Sequence, residues 1–339
     1  MQVLENVSLK LHSTMRLGGS ARYMCTITSE DDLLEALDFA NQKQLPCRAI
    51  GGGSNIIWRD EGYHGILLVM KIVGHTRLSD GVSIQFGAGL EWDKAVEISV
   101  DSGLNGLEKL SLIPGSVGAT PIQNVGAYGS EVRDTLRTVR AYDTEHHEFV
   151  ELSNDECRFG YRTSRFKTVD AGRFIITSVT FTLSTDNPKP PYYESLEAYI
   201  TDHGITAVTA TTIRDAVIDI RTHKLPDPKV IANNGSFFAN PTIDKDHYDA
   251  LIEKNPTIKG WKQPDGSVKI AAGWLIEQAG FHDYHDSETG MATWRSQNLV
   301  IVNEHATTVK QLLSFRQKII DAVNEKFQIT LQQEPELLP

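Results

Sequence analysis

Two glycine tracts limit what this chain can fold into. The first, Gly51-Gly52-Gly53-Ser54-Asn55, lies between the short run Arg48-Ala49-Ile50 and the bulky run Ile56-Ile57-Trp58. That order predicts a strand, a glycine turn and another strand. A dinucleotide fingerprint needs G-x-G-x-x-G opening a helix, and a P-loop needs G-x-x-x-x-G-K-[ST]; neither pattern is present. Successive N–H groups in a glycine-rich turn can still form a concave anion nest without a helix dipole. The alternative is a tight hairpin that holds nothing. The second tract runs Ile113-Pro114-Gly115-Ser116-Val117-Gly118-Ala119-Thr120-Pro121 and on through Gln123-Asn124-Val125-Gly126-Ala127-Tyr128-Gly129. Its glycines, with small side chains between them, predict backbone that approaches a ligand closely.

The segments around the tracts read as mixed α+β. Ser29 is an N-cap ahead of the acidic turn Glu30-Asp31-Asp32, and Leu33, Ala36, Leu37 and Ala40 recur at helical spacing, predicting a helix near 30–43. Residues 65–90 read as strands, among them Ile66–Met70 and the alternating Val82–Phe86, and helical periodicity follows Trp92 as far as Val100. The prolines Pro188, Pro190 and Pro191, followed by Tyr192-Tyr193, mark a boundary or an inserted loop. A helix within 206–223 starts at a threonine run and stops before Pro226 and Pro228. A last helix, about 308–326, buries Leu312, Phe315, Ile319 and Val323, and Phe327–Leu331 is expected as a terminal strand.

At 339 residues and 40% apolar content the chain exceeds what one hydrophobic core normally spans, so two or three domains are expected. Its net charge of -11, with no long basic run, argues against nucleic acid or an anionic membrane as partner. An anionic ligand must meet a local cluster of Arg and Lys. Cys25, Cys47 and Cys157 are scattered and odd in number, which argues against a disulfide framework or a zinc site. Met1 to Lys10 lacks the basic and apolar regions of a signal peptide, and no run approaches the roughly 18 apolar residues of a membrane span. The expected location is the cytoplasm, and the expected state a monomer.

Four motifs in order, Gly51–Asn55, Ile113–Gly129, Phe159-Gly160-Tyr161-Arg162 and Gly235-Ser236-Phe237-Phe238, resemble the UDP-N-acetylenolpyruvoylglucosamine reductase family from about Leu17 to the C-terminus. The resemblance implies an FAD-binding fold of the vanillyl-alcohol oxidase (PCMH) type with an additional α+β substrate-binding domain. One lobe would comprise 1–71 plus 331–339 and the other 72–224, with the FAD-binding region at about 17–184 and the substrate domain at 225–330. NADPH would reduce a non-covalently held FAD, and the enolpyruvyl ether of UDP-N-acetylglucosamine would then be reduced to UDP-N-acetylmuramate, a peptidoglycan precursor.

Residue by residue, the resemblance assigns Gly51, Gly52, Gly53, Ser54, Asn55, Ser116, Asn124, Gly126, Ala127 and Tyr128 to the cofactor. Arg162 suits the substrate carboxylate, because its planar fork can bind both oxygens and stabilise charge developing there. Ser236 would be the proton donor. A serine hydroxyl is a weak acid, but the enolate left after hydride addition is basic enough to take its proton. By the same resemblance Tyr193 would be the closing tyrosine of the longer of the family's two types, Lys224 the phosphate lysine, with Arg221 and Lys229 as further candidates, and Asn240 a sugar-nucleotide contact. A catalytic glutamate is expected in the C-terminal strand. Counting from Phe327 selects Glu334, whereas the letters Glu-Pro-Glu select Glu336; the count needs no insertion, so Glu334 is preferred. The arginine that the family carries two positions later is missing. No metal is expected, the His282/His285 segment reading as a polar loop. Competing readings are a flavin oxidase or dehydrogenase acting on another small molecule, and a sugar-nucleotide binding protein without flavin.

Overall fold

A computed structural model describes residues 1–339 as two compact units. The first gathers Met1–Val7, Ala21–Gly52 and His64–His223, and the second Ser8–Ser20, Gly53–Tyr63 and Lys224–Pro339. The nine C-terminal residues, expected in the first FAD-binding lobe, therefore group with the C-terminal unit.

The first unit contains a four-stranded sheet in the order Val3–Ser8, Ser20–Ile27, Tyr63–Met70, Cys47–Ile50. The helix Glu30–Lys43 packs on it through Leu33, Ala36 and Ala40. Ser29 caps that helix as expected, its Oγ accepting the Asp32 N–H at 3.0 Å. A five-stranded sheet follows in the order Glu148–Ser153, Leu136–Asp143, Phe174–Thr182, Ser83–Gly87, His75–Arg77. Its neighbours pair antiparallel. The helix Trp92–Asp101 covers it with Trp92, Ala95, Val96 and Val100 in one core with Phe86, Val139, Val179 and Phe181. Two helices, Glu194–Asp202 and Ala210–Lys224, form a small separate core around Leu196, Ile213, Ala216 and Val217. The second of these starts after Thr209, whose Oγ1 accepts the Thr212 N–H at 3.2 Å.

The second unit has a four-stranded sheet in the order Ala232–Ser236, Gln297–Asn303, Met291–Trp294, His285–Asp286 and a three-stranded one in the order Thr242–Ile243, Val268–Ile270, Gly260–Lys262. The helix Val309–Phe327 runs through its core, burying Leu312, Phe315, Ile319, Val323 and Phe327. Each such side chain contributes roughly 1.5–3 kcal/mol on burial. A reciprocal cap between Thr308 and Gln311 starts this helix.

The expected terminal strand at Phe327–Leu331 is a correction. Phe327 is the last helical residue and Gln328 caps it in the left-handed conformation, at φ 58°. Ile329 and Leu331 are buried against the core without entering a ladder. Hydrophobicity at these positions satisfies core packing, and a strand forms only where a partner edge exists. That edge is Ile56–Trp58, which pairs in parallel with Glu336–Leu338.

Candidate active site

In the first unit the two glycine tracts touch. A Cβ at Gly52 would lie 3.1 Å from the Cα of Gly115, and one at Gly51 would collide with Ser116 Oγ. Only glycine permits that approach of backbone to backbone. The Ser116 hydroxyl between them is buried without a hydrogen-bond partner. A nucleotide phosphate would supply the missing acceptor, so these residues fit an FAD.

Further along, Gly126-Ala127 pairs with Ser130-Glu131 in a two-residue hairpin. The hairpin is held by Asn124, whose amide donates to Glu131 Oε2 at 2.9 Å and Gly160 O at 3.0 Å while its Oδ1 accepts the Arg133 N–H at 3.0 Å. With its side chain so engaged, Asn124 buttresses the tract. Arg162 donates to Gly126 O at 2.7 Å, and a Cβ on Gly126 would reach within 3.0 Å of the same guanidinium. Asn124, Tyr128 and Arg162 all adopt left-handed φ, at 49°, 49° and 53°. Such conformations cost energy in non-glycine residues and gather at functional sites. Tyr193, exposed at the start of the helix Glu194–Asp202, meets Tyr128 edge to face at 5.8 Å between centroids. The structure thus brings Arg162 together with Gly126, and Tyr193 with Tyr128.

In the second unit the strand Ala232–Ser236 carries the predicted proton donor. Its register with Gln297–Asn303 shifts between Asn233 and Ser236, where Gly235 takes φ 68°. This bulge leaves Ser236 exposed while Phe237 and Phe238 are buried at 0% and 1%. Sequence reasoning passed over Asn234 and the segment Ser13–Arg16, both of which hold this strand. Asn234 Nδ2 donates to Thr14 Oγ1 and Ser54 O, each at 3.1 Å, and Thr14 O accepts the Asn233 N–H at 3.1 Å. Thr14 N–H in turn donates to Gly53 O at 3.0 Å. Nothing in composition or periodicity marks these residues, since they act by long-range hydrogen bonds.

The two candidate glutamates have different neighbours. Glu334 N–H donates to Phe237 O at 2.9 Å, beside Ser236, whereas Glu336 N–H donates to Asn55 O at 2.9 Å and opens the strand paired with Ile56–Trp58. They do not share one strand, as the sequence had led us to expect, because the chain changes partner between them. Lys224, exposed, ends the helix Ala210–Lys224, and its carbonyl accepts from the Trp294 indole at 3.1 Å. Arg16 Nη2 holds the following loop through Pro228 O at 2.8 Å and Lys229 O at 2.7 Å. Asn240 Oδ1 accepts the Ala272 N–H at 2.9 Å, tying the start of the helix Ala272–Gln278.

The clustered histidines have polar side-chain partners. His282 Nδ1 meets Asn298 Oδ1 at 3.1 Å, and His285 lies between Glu304 and Asp283 at 2.8 and 3.5 Å. Asp143, Glu145 and His146 converge, but Arg173 reaches both carboxylates, at 2.6 and 2.7 Å.

Comparison with known proteins finds two family models along the chain. A family model described as FAD binding domain matches residues 21–152, and one described as UDP-N-acetylenolpyruvoylglucosamine reductase, C-terminal domain, matches residues 227–338. The UDP-N-acetylenolpyruvoylglucosamine reductase of Ralstonia nicotianae is 41% identical over 331 residues, covering 96% of each chain. That of Pseudomonas putida is 38% identical over 340 residues, covering 99% of each. The crystal structure of the enzyme from Thermus caldophilus shares the fold, with a TM-score of 0.68 and 23% identity over the whole of both chains. With an FAD-binding domain, the reductase C-terminal domain and relatives of this identity over nearly its full length, the chain belongs to the UDP-N-acetylenolpyruvoylglucosamine reductase family.

Proposed function

We propose that this chain reduces the enolpyruvyl ether of UDP-N-acetylglucosamine to UDP-N-acetylmuramate, the peptidoglycan precursor, as an FAD-dependent reductase using NADPH. The observation that carries this reading is the family identity over nearly the whole chain, with Ser236 exposed on a glycine bulge at the motif position. When bound, FAD supplies the hydride chemistry, relaying two electrons from NADPH to the terminal carbon of the enolpyruvyl group.

The chain's own residues do the rest. Arg162 binds the substrate carboxylate and stabilises the charge that spreads onto it, with its guanidinium held in place by Gly126 O. Ser236 gives its hydroxyl proton to the carbon beside that carboxylate, so that its O–H bond breaks as a C–H bond forms, and solvent returns the proton. A glutamate acts as an acid toward the carboxylate. Spacing from Phe327 favours Glu334. A specific observation supports Glu336 instead: its N–H is bonded to Asn55 at the end of the glycine tract, and its neighbour Leu337 packs on the core. Side chains alternate along a strand, so Glu336 faces away from that core, and we assign it the role. Lys224 and Asn240 contact the sugar nucleotide and Tyr193 closes over it. Gly51–Asn55 and the backbone from Ser116 to Tyr128 hold FAD without a covalent bond.

A monomer in the cytoplasm completes the reading. No helix is long and apolar enough to cross a membrane. The test is rapid mixing of the reduced holoprotein with the enolpyruvyl sugar nucleotide. Reoxidation much faster than by oxygen is expected, and equal rates with and without the sugar nucleotide would refute the assignment. Turnover with NADPH against NADH fixes the donor, and sedimentation the oligomeric state.

A further inference from the structure

The C-terminal tail changes partner at Pro335. Before it, Gln332 O accepts the Ala239 N–H at 3.0 Å and Glu334 N–H donates to Phe237 O at 2.9 Å; after it, Glu336–Leu338 pairs with Ile56–Trp58. Proline has no N–H, and this one is buried, so the switch point lacks one backbone donor with which to fix itself. The planar peptide that joins Pro335 to Glu336 is nevertheless held on both sides. Its N–H donates to Asn55 O at 2.9 Å, and its carbonyl accepts from Gln333 Nε2 at 2.6 Å. The second of these bonds comes from a side chain and is lost if that side chain turns over.

Arg316 opposes that turn. A primary amide has one accepting end and one donating end, and half a rotation exchanges them. Arg316, in the helix Val309–Phe327, donates from Nη1 to Gln333 Oε1 at 2.9 Å. A guanidinium carries donors only, so it selects the orientation in which Oε1 faces the helix and Nε2 is left to Pro335. The arginine sits there at a cost. Its Nε is enclosed without an acceptor, and burial together with the neighbouring charge of Arg59 pulls the guanidinium below its usual range. An aliphatic side chain would avoid both penalties. What it could not supply is the donor that orients the amide.

We propose that Arg316 and Gln333 are positioning residues for Glu336: the guanidinium fixes the amide, the amide fixes the peptide between Pro335 and Glu336, and that peptide sets the direction in which the glutamate presents its carboxyl group. This rests on the assignment of Glu336 as the acid toward the substrate carboxylate. A positioning role confines the loss to the half-reaction in which that acid acts, whereas a purely structural role would spread it over both.

The test follows both half-reactions of the holoprotein by rapid mixing, reduction of FAD by NADPH and its reoxidation by the enolpyruvyl sugar nucleotide, together with the melting temperature. In Gln333→Glu the carboxylate still accepts from Arg316, now as an ion pair, but has no donor for Pro335 O. We expect its substrate half-reaction to slow by about 10- to 10²-fold, the scale of an ångström of misplacement, while flavin reduction and melting temperature stay near those of the parent. Arg316→Met leaves the amide free to turn and should slow the same half-reaction about twofold, the loss if both orientations become equally populated; Arg316→Lys, again donors only, should restore it. In a Glu336→Gln background Gln333→Glu should add little, since both act through one carboxyl group. A Gln333→Glu protein that turns over substrate at the parent rate would overturn the proposal, and equal slowing of both half-reactions with a lower melting temperature would make the pair structural. Should Gln333→Glu not fold, Gln333→Leu is read in the same way. A Glu336→Gln variant at the parent rate would sink the assignment of the glutamate and the proposal with it, an outcome separate from a slow Glu336→Gln beside a fast Gln333→Glu.

Discussion

The turn Gly51–Asn55 and the tail Gln328–Leu338 are both short and lie outside the large sheets, and they meet where Glu336 N–H bonds Asn55 O. Their shapes have different origins. The turn is fixed by what its own residues permit: Gly53 sits at φ 70°, and Gly51 and Gly52 leave room for Ser116 and Gly115. The tail takes its shape from partners. Gln328 caps a helix, the backbone at 332–334 bonds that at 237–239, and 336–338 pairs with 56–58. A turn set by local sterics can be read from sequence, whereas a segment set by successive distant partners cannot.

The largest effect that sharpens this contrast is expected at Ser236, exposed by a local glycine bulge yet held in place by the distant Thr14 and Ser54 through Asn234. Ser236→Ala should slow the reduction of the enolpyruvyl substrate by about 10²- to 10⁴-fold while NADPH bleaches the flavin at nearly the parent rate. Cysteine there should restore part of the loss. Equal slowing of both halves would make Ser236 a cofactor-holding residue, and rapid-mixing absorbance follows each half separately.

The tail supplies the next test. Glu336→Gln is expected to lower kcat well below that of Glu334→Gln, because Glu336 opens the strand bonded to the glycine tract and Glu334 does not. The reverse ranking in steady-state assays would show that spacing from Phe327, and not the pairing with Ile56–Trp58, identifies the acid.

The turn can be broken locally. Alanine at Gly53 would adopt a left-handed conformation and drive its Cβ into the His12 carbonyl, so Gly53→Ala should cost about 1–3 kcal/mol or more in thermal unfolding. Alanine at Gly74, also left-handed at φ 109° but with nothing within 4 Å of the added Cβ, should cost less. Equal losses would mean that strain alone, without the collision, sets the turn's demand for glycine.

The smallest effect concerns charge. Lys224→Ala should weaken binding of the UDP-sugar by roughly tenfold, the worth of one charge-assisted contact, and leave FAD bound. Unchanged affinity in a calorimetric titration would place the phosphates elsewhere, with Lys229 the next residue to vary.

Much of the fold was legible because it is written in local terms. The helix Glu30–Lys43 announces itself through the Ser29 cap and a stripe at 33, 36 and 40, and Val309–Phe327 through its buried face. The glycine tracts were legible for the same reason, since only glycine allows such backbone contacts. Tertiary structure alone decided that Ile329 and Leu331 are core without being strand, that the two glutamates fall to different partners, and that Asn234 and Thr14 hold the strand of Ser236. It alone decided, too, that Arg214 is paired while Arg221, two turns along the same helix, is enclosed without a carboxylate. The physical reason is one of range. Sterics, capping and hydrophobic period act within a few residues and leave a signature in the sequence, whereas hydrogen-bond partners and counter-charges are chosen by whatever the fold brings near.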